Sequence, residues 1–335
     1  TLVLGATLRA NFDDLLTEVN AGTDVVVRNS TELEADIARA PIDAALVDRI
    51  AAVDGVATAE GQVTGFGQLL GRDGKALGGN GPPTFAASWV SDPALNPYRL
   101  AEGRAPRGND EVVVNRATAE TGGLGLGDTA TLLTPEPVQV TIVGLATFGD
   151  ADGLGGVTFT AFDLADAQAH VLGSADRVSS IAVRGEDGVD QSTLADRIGA
   201  VLPDGVEATT GTQVTDEAVD DIGSDFLDSF TTFLTLFAGV ALLVGTFSIY
   251  NTFSIIVAQR TRQAALLRAL GAGRGQVVRA VMAEALLVGV AGSLIGLAAG
   301  IGVAGLLKCL FDAAGFSLPA GGIVVTTGTV VASLM

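Results

Sequence analysis

The chain has 335 residues, enough for two ordinary domains, and a formal net charge of −19 with one cysteine and one histidine. So acidic a chain lacks the basic surface that binds phosphate, which excludes nucleic acid as a partner. Because Cys309 is the single cysteine and His170 the single histidine, an internal disulfide framework and a Cys/His zinc cluster are excluded. Residues 1–228 hold 13 basic and 36 acidic residues, whereas residues 229–335 hold 6 and 2. This division indicates an acidic polar part and a hydrophobic, weakly basic part in different solvents.

Both ends of the chain are apolar. The opening TLVLGATL has no initiator Met or basic n-region, and the chain ends within GGIVVTTGTVVASLM. We therefore expect a partial chain, truncated at both ends. Residues 1–20 are predicted as the end of a first transmembrane or stalk helix, and residues 323–335 as the start of a further transmembrane helix.

Residues 21–214 are predicted as an extracytoplasmic α+β domain. β-Branched runs bounded by turn residues predict strands at 24–28, 111–115, 138–146 and 179–185. Helical spacing of apolar residues predicts helices at 41–53, which opens with Pro41, and at 189–202. Stretches rich in glycine and proline predict loops at 71–83, 96–109 and 149–156.

A stalk helix is predicted to begin with Thr215 as its N-cap and to run without a proline into a span ending at Gln259. Its apolar stripe starts at Val219 and continues at steps of three and four to Phe237. Residues 4–19 show the same periodicity. The two stripes either pack together as a stalk above the membrane or each packs on its own domain, and both interpretations stay open.

Two segments are long and apolar enough to cross a bilayer, which needs about 20 residues. They are residues 230–259 and 281–307, and the alternative is a pair of buried helices in a large soluble protein. The residues between them include Arg260, Arg262, Arg268, Arg274 and Arg279 and no acid. By the positive-inside rule, residues 260–280 are cytoplasmic and residues 1–228 are extracytoplasmic in a multi-pass protein of the inner or plasma membrane.

Two features of the second span indicate helix contacts. Gly292, Gly296 and Gly300 recur every four residues and form a small-residue face on which a partner helix can approach closely, from this protein or from a second copy. Glu284 lies four residues into the span, where we expect it at the cytoplasmic boundary within reach of the arginines.

No catalytic constellation is found. Leu69 and Ala76 replace the P-loop glycine and hydroxyl around Gly74–Lys75, and Asp128 interrupts a GxGxxG register in a glycine-rich turn. The acidic DEAVDDIGSD lacks the EF-hand alternation and fits a solvated helix face better than a calcium site. The chain is therefore predicted not to be an enzyme, and the energy for any work must come from another subunit.

The segment between the spans is predicted to form a short helix. Ala264–Leu270 are strong helix formers, GAG at 271–273 supplies a C-cap, and a second helix begins near Gln276. Such a helix, apolar on one side and basic on the other, rests on lipid headgroups or faces a cytoplasmic protein.

The residues Arg260–Gly300 resemble ABC transporter permeases of the FtsX/MacB (LolC/E-like) type. The shared pattern is an arginine-flanked ALLRALGA, then QV, then a glutamate that opens a glycine-rich span. Gln263 departs from it, because the family usually has an acid there. GRAPRGNDEVVVNRATAETGGLGLGDTATL (103–132), followed by VTIVGLA, resembles the MacB-like extracytoplasmic core domain.

This resemblance implies that residues 260–280 hold a coupling helix seated in a groove of a cytoplasmic ABC ATP-binding subunit. The residues carried over as contacts are Arg260, Arg262, Leu266, Leu267, Arg268, Leu270 and Gly271. ATP and Mg²⁺ belong to that partner subunit, and this chain is expected to bind no cofactor and no metal. The other partners implied are membrane lipid, a second permease copy or homologous half, and an extracytoplasmic protein.

The function implied is a permease that converts ATP-driven motion into movement of its outer domain, and so exports or extracts a lipid, lipoprotein, peptide or drug. One alternative is a signal-transmitting permease that regulates a cell-wall hydrolase or a sensor kinase. The other is a membrane receptor without an ATPase.

Overall fold

A computed structural model describes residues 22–31, 39–79, 83–149, 152, 156–222, 228–269 and 273–313. The described residues up to Asp220 form one compact unit, here the sheet unit, and those from Asp221 to Leu310 form a second, the helical unit. The strands are β1 Val25–Asn29, β2 Ile42–Asp43, β3 Val56–Gln62, β4 Thr64–Phe66, β5 Gln68–Leu69, β6 Thr84–Ser88, β7 Tyr98–Gly103, β8 Glu111–Asn115, β9 Thr129–Leu133, β10 Val138–Phe148, β11 Thr158–Phe162, β12 Arg177–Val178, β13 Ser180–Gly185 and β14 Val206–Thr210. The helices are α1 Leu46–Ala51, α2 Arg116–Gly122, α3 Leu164–Ala167, a π-helix Gln168–Leu172, α4 Gln191–Gly199, α5 Gly211–Ile222, α6 Asp228–Ala269 and α7 Arg274–Ala313.

The first sheet of the sheet unit has four antiparallel strands in the order β14-β1-β13-β3. Helix α1 packs on β3 and α4 packs on β14 and β1. Along the chain this is strand–helix–strand followed by a second strand–helix–strand, the split arrangement of ferredoxin-like folds. The β-branched run of β1 lies in the interior of this sheet, and Val25 and Val27 are fully buried.

A second, eight-stranded sheet is inserted between β3 and β13. Its order is β4-β6-β11-β8-β10-β9-β5, with β7 pairing on β10, and the pairs β8–β10 and β6–β11 are parallel. Strand β8 has neighbours on both sides, and its three valines are fully buried, as expected for a strand covered on both faces. One hydrophobic core joins the two sheets, with Phe162, Leu132 and Ile181 among its fully buried members.

The sheet unit confirms the predicted α+β domain and corrects some of its elements. Strands β1, β8, β10 and β13 and helix α4 lie where the sequence predicts them. The predicted helix at 41–53 is wrong in its first turn, because Ile42 pairs with Val178 in a two-stranded sheet and the helix begins at Leu46. The predicted loop at 96–109 contains β7, which pairs with the second half of β10.

Helix α5 begins at Gly211, before the predicted N-cap Thr215. Thr215 is not its N-cap: it lies inside the helix, buried, and its hydroxyl donates a hydrogen bond to the carbonyl oxygen of Gly211 at 3.0 Å. Hydroxyl side chains inside a helix commonly bond back to the fourth preceding carbonyl in this way. The helix therefore starts directly after β14, with the Gly211 amide donating to the carbonyl oxygen of Asp24.

Gly211 is required by this close approach. A Cβ built on Gly211 lies 1.9 Å from the carbonyl oxygen of Thr23, a backbone atom that cannot rotate away. We expect Gly211→Ala to lower the free energy of unfolding by about 1–3 kcal/mol, as overpacking does. Chemical denaturation of the purified full-length protein measures this. Gly199→Ala is the matched control, because a Cβ there meets no atom within 4 Å, and an equal loss in both variants would contradict the prediction.

The helical unit consists, within the described residues, of the end of α5 and the two long helices α6 and α7. Each long helix contains an apolar window of membrane-spanning length, Thr235–Ile256 in α6 and Val281–Val303 in α7. Within the described residues, neither window is buried inside the chain, unlike the core helix of a soluble protein. Both helices expose many Phe, Leu and Ile side chains. Such an apolar surface is favoured in lipid.

Candidate functional site

The basic residues between the two apolar windows form the candidate site, here the basic segment (residues 260–280). The helix α6 does not end at Gln259, where the sequence predicts the end of the span, but continues to Ala269 as one helix of 42 residues. No glycine or proline stands between Gln259 and Ala269, and alanine, leucine and arginine favour the helix. At 1.5 Å per residue α6 is about 63 Å long, and the part beyond Ile256 adds about 20 Å to the apolar window.

Helix α7 starts at Arg274, two residues before the predicted start near Gln276. The side-chain oxygen of Gln276 accepts a hydrogen bond from the Gly273 amide at 3.1 Å, and the Gln276 amide donates to the Gly273 carbonyl at 3.0 Å. This is the reciprocal half of a capping box, in which a glutamine at the third helical position satisfies the amide of the cap residue. The local sequence GRGQ therefore fixes where the second helix begins.

The predicted contact residues are distributed over the end of α6 and the junction. Arg260, Arg262, Leu266, Leu267 and Arg268 belong to the last three turns of α6. Leu270 and Gly271 lie outside the described residues. Helix α6 ends at Ala269 and helix α7 begins at Arg274. Most of the positions predicted as a separate short helix therefore belong to the extension of α6.

The basic segment carries positive charge and no negative charge. Its five arginines have no acidic residue among them in sequence. Arginines near the carboxyl end of α6 are favoured by the helix dipole, whereas Arg274 at the amino end of α7 is disfavoured by it. A cationic segment next to apolar windows is complementary to anionic lipid headgroups or to an acidic protein surface.

The glycine face of α7 is open in the described structure. A Cβ built at Gly292, Gly296 or Gly300 meets no atom within 4 Å, so no described residue of this chain packs closely on that face. Glu284 lies three residues after the first residue of the window Val281–Val303, as the sequence indicates. The role predicted for these four residues stays a prediction.

Two protein families match the chain, and together they cover most of it. The FtsX-like permease C-terminal family matches residues 235–335, which contain the basic segment and both apolar windows. The MacB-like periplasmic core domain matches residues 1–201, more than half of the chain. The chain belongs to the ABC transporter permeases of the MacB/FtsX type. It is therefore a membrane protein, with a MacB-like α+β domain that precedes two candidate transmembrane helices.

Two similar proteins are named as permeases. The chain is 32% identical over 237 residues to the uncharacterized ABC transporter permease protein Rv0987 of Mycobacterium tuberculosis, covering 69% of this chain and 26% of that protein. It is 35% identical over 95 residues to the macrolide export ATP-binding/permease protein MacB of an Azoarcus species, covering 28% of this chain and 14% of that protein. The chain thus spans about a quarter or less of these relatives. The periplasmic region of MacB from Actinobacillus actinomycetemcomitans aligns with a TM-score of 0.44 at 11% identity, covering 60% of this chain and 95% of that one.

The sheet unit of this MacB/FtsX-type permease also holds a cluster that the sequence did not predict. The side chain of His170 is 28% exposed, and its Nε2 lies 2.7 Å from Asp110 Oδ1. The amide of Asp110 donates to Asp166 at 2.9 Å, and potential ligand atoms of the three side chains lie within 4.8 Å of one another. The cluster fixes a turn in which Asn109 and Asp110 both have positive φ. Its members are up to 60 residues apart, so no local pattern indicates it.

Proposed function

We propose that this permease passes ATP-driven motion from an ATP-binding partner at the basic segment, along α6, to the sheet unit outside the membrane. The sheet unit then exports or extracts a lipid, lipoprotein, peptide or drug. ATP and Mg²⁺ belong to the ATP-binding partner, and the described part of this chain contributes neither nucleotide nor metal to the cycle. In this proposal the basic segment is cytoplasmic and the acidic sheet unit extracytoplasmic.

The observation that carries the proposal is the unbroken extension of α6 beyond its apolar window. A stop signal for membrane insertion needs only a few basic residues, whereas α6 continues as a helix for about 20 Å past the window and ends among arginines and leucines. A continuous helix moves as one body, because bending it sharply requires a proline, a glycine pair or an inserted bulge. A displacement applied at its basic end therefore moves its whole length.

Apolar residues at the basic end are expected to make the contact that specifies the ATP-binding partner. The full-length protein, purified from its own membranes, is expected to bring down a protein with Walker motifs, or to show ATPase activity if that domain is on the same polypeptide. Leu267→Asp is expected to reduce this association at least tenfold, because a carboxylate at an apolar contact is desolvated without a partner. Quantitative co-purification measures it.

Leu126→Asp is the matched control for Leu267→Asp. Leu126 is an exposed leucine of the sheet unit, 46% accessible, so the same chemical change falls far along the chain from the basic segment. For both variants, association with the ATP-binding partner is measured only on the protein recovered in membranes. Unchanged association in Leu267→Asp would contradict the coupling role. The absence of both an ATP-binding protein and ATPase activity from the wild-type preparation would favour a receptor without an ATPase.

A further inference from the structure

A groove of about 450 Å³ lies within the sheet unit, where the edge strand β3 faces the ends of β6, β7 and β11. Its walls combine apolar side chains with two carboxylates and an indole, and they include Val47, Glu60, Trp89, Pro106, Asp163 and Leu164. This volume is in the range of ligand sites, about 300–1,000 Å³. The groove is separate from the basic segment, and nothing in the proposed coupling uses it.

Trp89 is the only tryptophan of the chain, and the backbone holds it at the groove. Its amide donates to the carbonyl oxygen of Phe162 at 2.7 Å, and its side chain packs, partly buried, against a cluster that contains Phe159 and Ala161. A side chain supported from behind presents the rest of its surface to the groove at little entropic cost. The face of an indole attracts organic cations more strongly than any other aromatic ring.

The two carboxylates of the groove carry charge that no described residue neutralises. Glu60 accepts hydrogen bonds from the amides of Ser91 at 2.8 Å and Asp92 at 2.9 Å, and Asp163 accepts one from the Asp166 amide at 2.9 Å. Neither has an ion pair among the described residues, and no lysine or arginine lines the groove. The nearby Arg184 is paired with Asp92 at 3.0 Å, so its charge is already matched.

We propose that this groove binds a small organic cation with an apolar body. The apolar walls bury the body, the indole face and the two carboxylates receive the charge, and the fixed amide hydrogen bonds hold the Glu60 carboxylate in place. A concave site of this volume, with few polar groups on apolar walls, is typical of small-molecule binding. A site for a protein partner is flatter and buries a larger area. The proposal does not depend on the ATP-binding partner.

Trp89 is the single tryptophan of these 335 residues, so its emission gives a direct measurement of binding on this chain in detergent. Tetraphenylphosphonium is expected to change the Trp89 emission saturably, whereas tetraphenylborate, which has the same shape and the opposite charge, is not. Glu60→Gln and Asp163→Asn are each expected to weaken tetraphenylphosphonium binding about tenfold, about 1.4 kcal/mol. Asparagine caps a helix as well as aspartate does, so Asp163→Asn removes the charge and retains the fold.

Asp187→Asn is the control for long-range attraction by an acidic protein, because Asp187 is exposed and lies outside the groove. It is expected to bind the probe as the wild type does. Equal responses to both probes, or a loss of affinity in Asp187→Asn that matches Glu60→Gln, would overturn the proposal. A basic peptide that alters Trp89 emission when tetraphenylphosphonium does not would also overturn it and assign the groove to a protein partner.

Discussion

Replacing Phe162 with alanine is expected to lower the free energy of unfolding of the sheet unit by about 3–5 kcal/mol, the range for removing a buried phenylalanine. Among the described residues of the sheet unit, Phe162 is the largest fully buried side chain, and it belongs to the core that joins the two sheets. Its ring centroid lies 5.5 Å from that of His170, and its carbonyl receives the Trp89 amide. The cavity left by the ring thus lies between the core and the cluster of Asp110, Asp166 and His170.

The same tryptophan that lines the groove reports this loss. Urea unfolding of this chain in detergent, followed by Trp89 emission, gives the midpoint and slope for each variant. Phe66→Ala is the matched control, because Phe66 is 57% exposed at the edge strand β4 and its replacement is expected to change stability by less than about 0.5 kcal/mol. A loss in Phe66→Ala as large as that in Phe162→Ala would show that burial at β11 is not what stabilises the sheet unit.

The strands that could be predicted from sequence are those whose composition alone specifies them. EVVVN and VQVTIVGLA are β-branched, and they become β8 and β10. In contrast, β3 (VATAEGQ) and β6 (TFAAS) each contain two alanines, and β3 also contains a glycine. Their strand character comes from partners far along the chain: Thr84 pairs with Thr158, and Glu60 with Ala182. Tertiary pairing overrides weak local propensity in such segments.

The two candidate sites differ in the same way. The basic segment could be predicted because it is contiguous: charge, apolar windows and helix formers all lie along one stretch of chain. The end of helix α6 could not, because Gln259 marks a change in polarity and not a change in helix propensity. The groove could not be predicted either, since Glu60 comes from the edge strand β3, and Trp89 and Asp163 directly follow β6 and β11, and these segments meet only in the folded sheet unit.

Arg28→Met is expected to destabilise the sheet unit by about 2 kcal/mol and to loosen α5. Arg28 is only 12% exposed and bonds Glu207 of β14 at 3.0 Å and Glu217 of α5 at 2.6 Å. Burial by itself lowers the pKa of Arg28, but its hydrogen bonds to Glu217 and Glu207 outweigh burial and raise the pKa. Removing one partner of a buried ion pair costs about 3–5 kcal/mol, and the partial exposure of both glutamates reduces the expected loss.

The loss should be concentrated in α5, because Glu207 retains Arg39 at 3.2 Å whereas Glu217 loses its arginine. We measure hydrogen exchange on the full-length protein. Relative to the wild type, Arg28→Met is expected to speed the exchange of α5 amides more than that of β1 and β13 amides. Glu217→Gln in the Arg28→Met background should recover part of the stability, since it removes the carboxylate left behind. Arg197→Met, which breaks an exposed pair with Asp54 at 3.1 Å, should cost at most about 0.5 kcal/mol. The chain leaves the sheet unit through α5. An equal increase in exchange in α5, β1 and β13 of Arg28→Met would mean that the ion pairs of Arg28 do not hold α5 on the sheet unit.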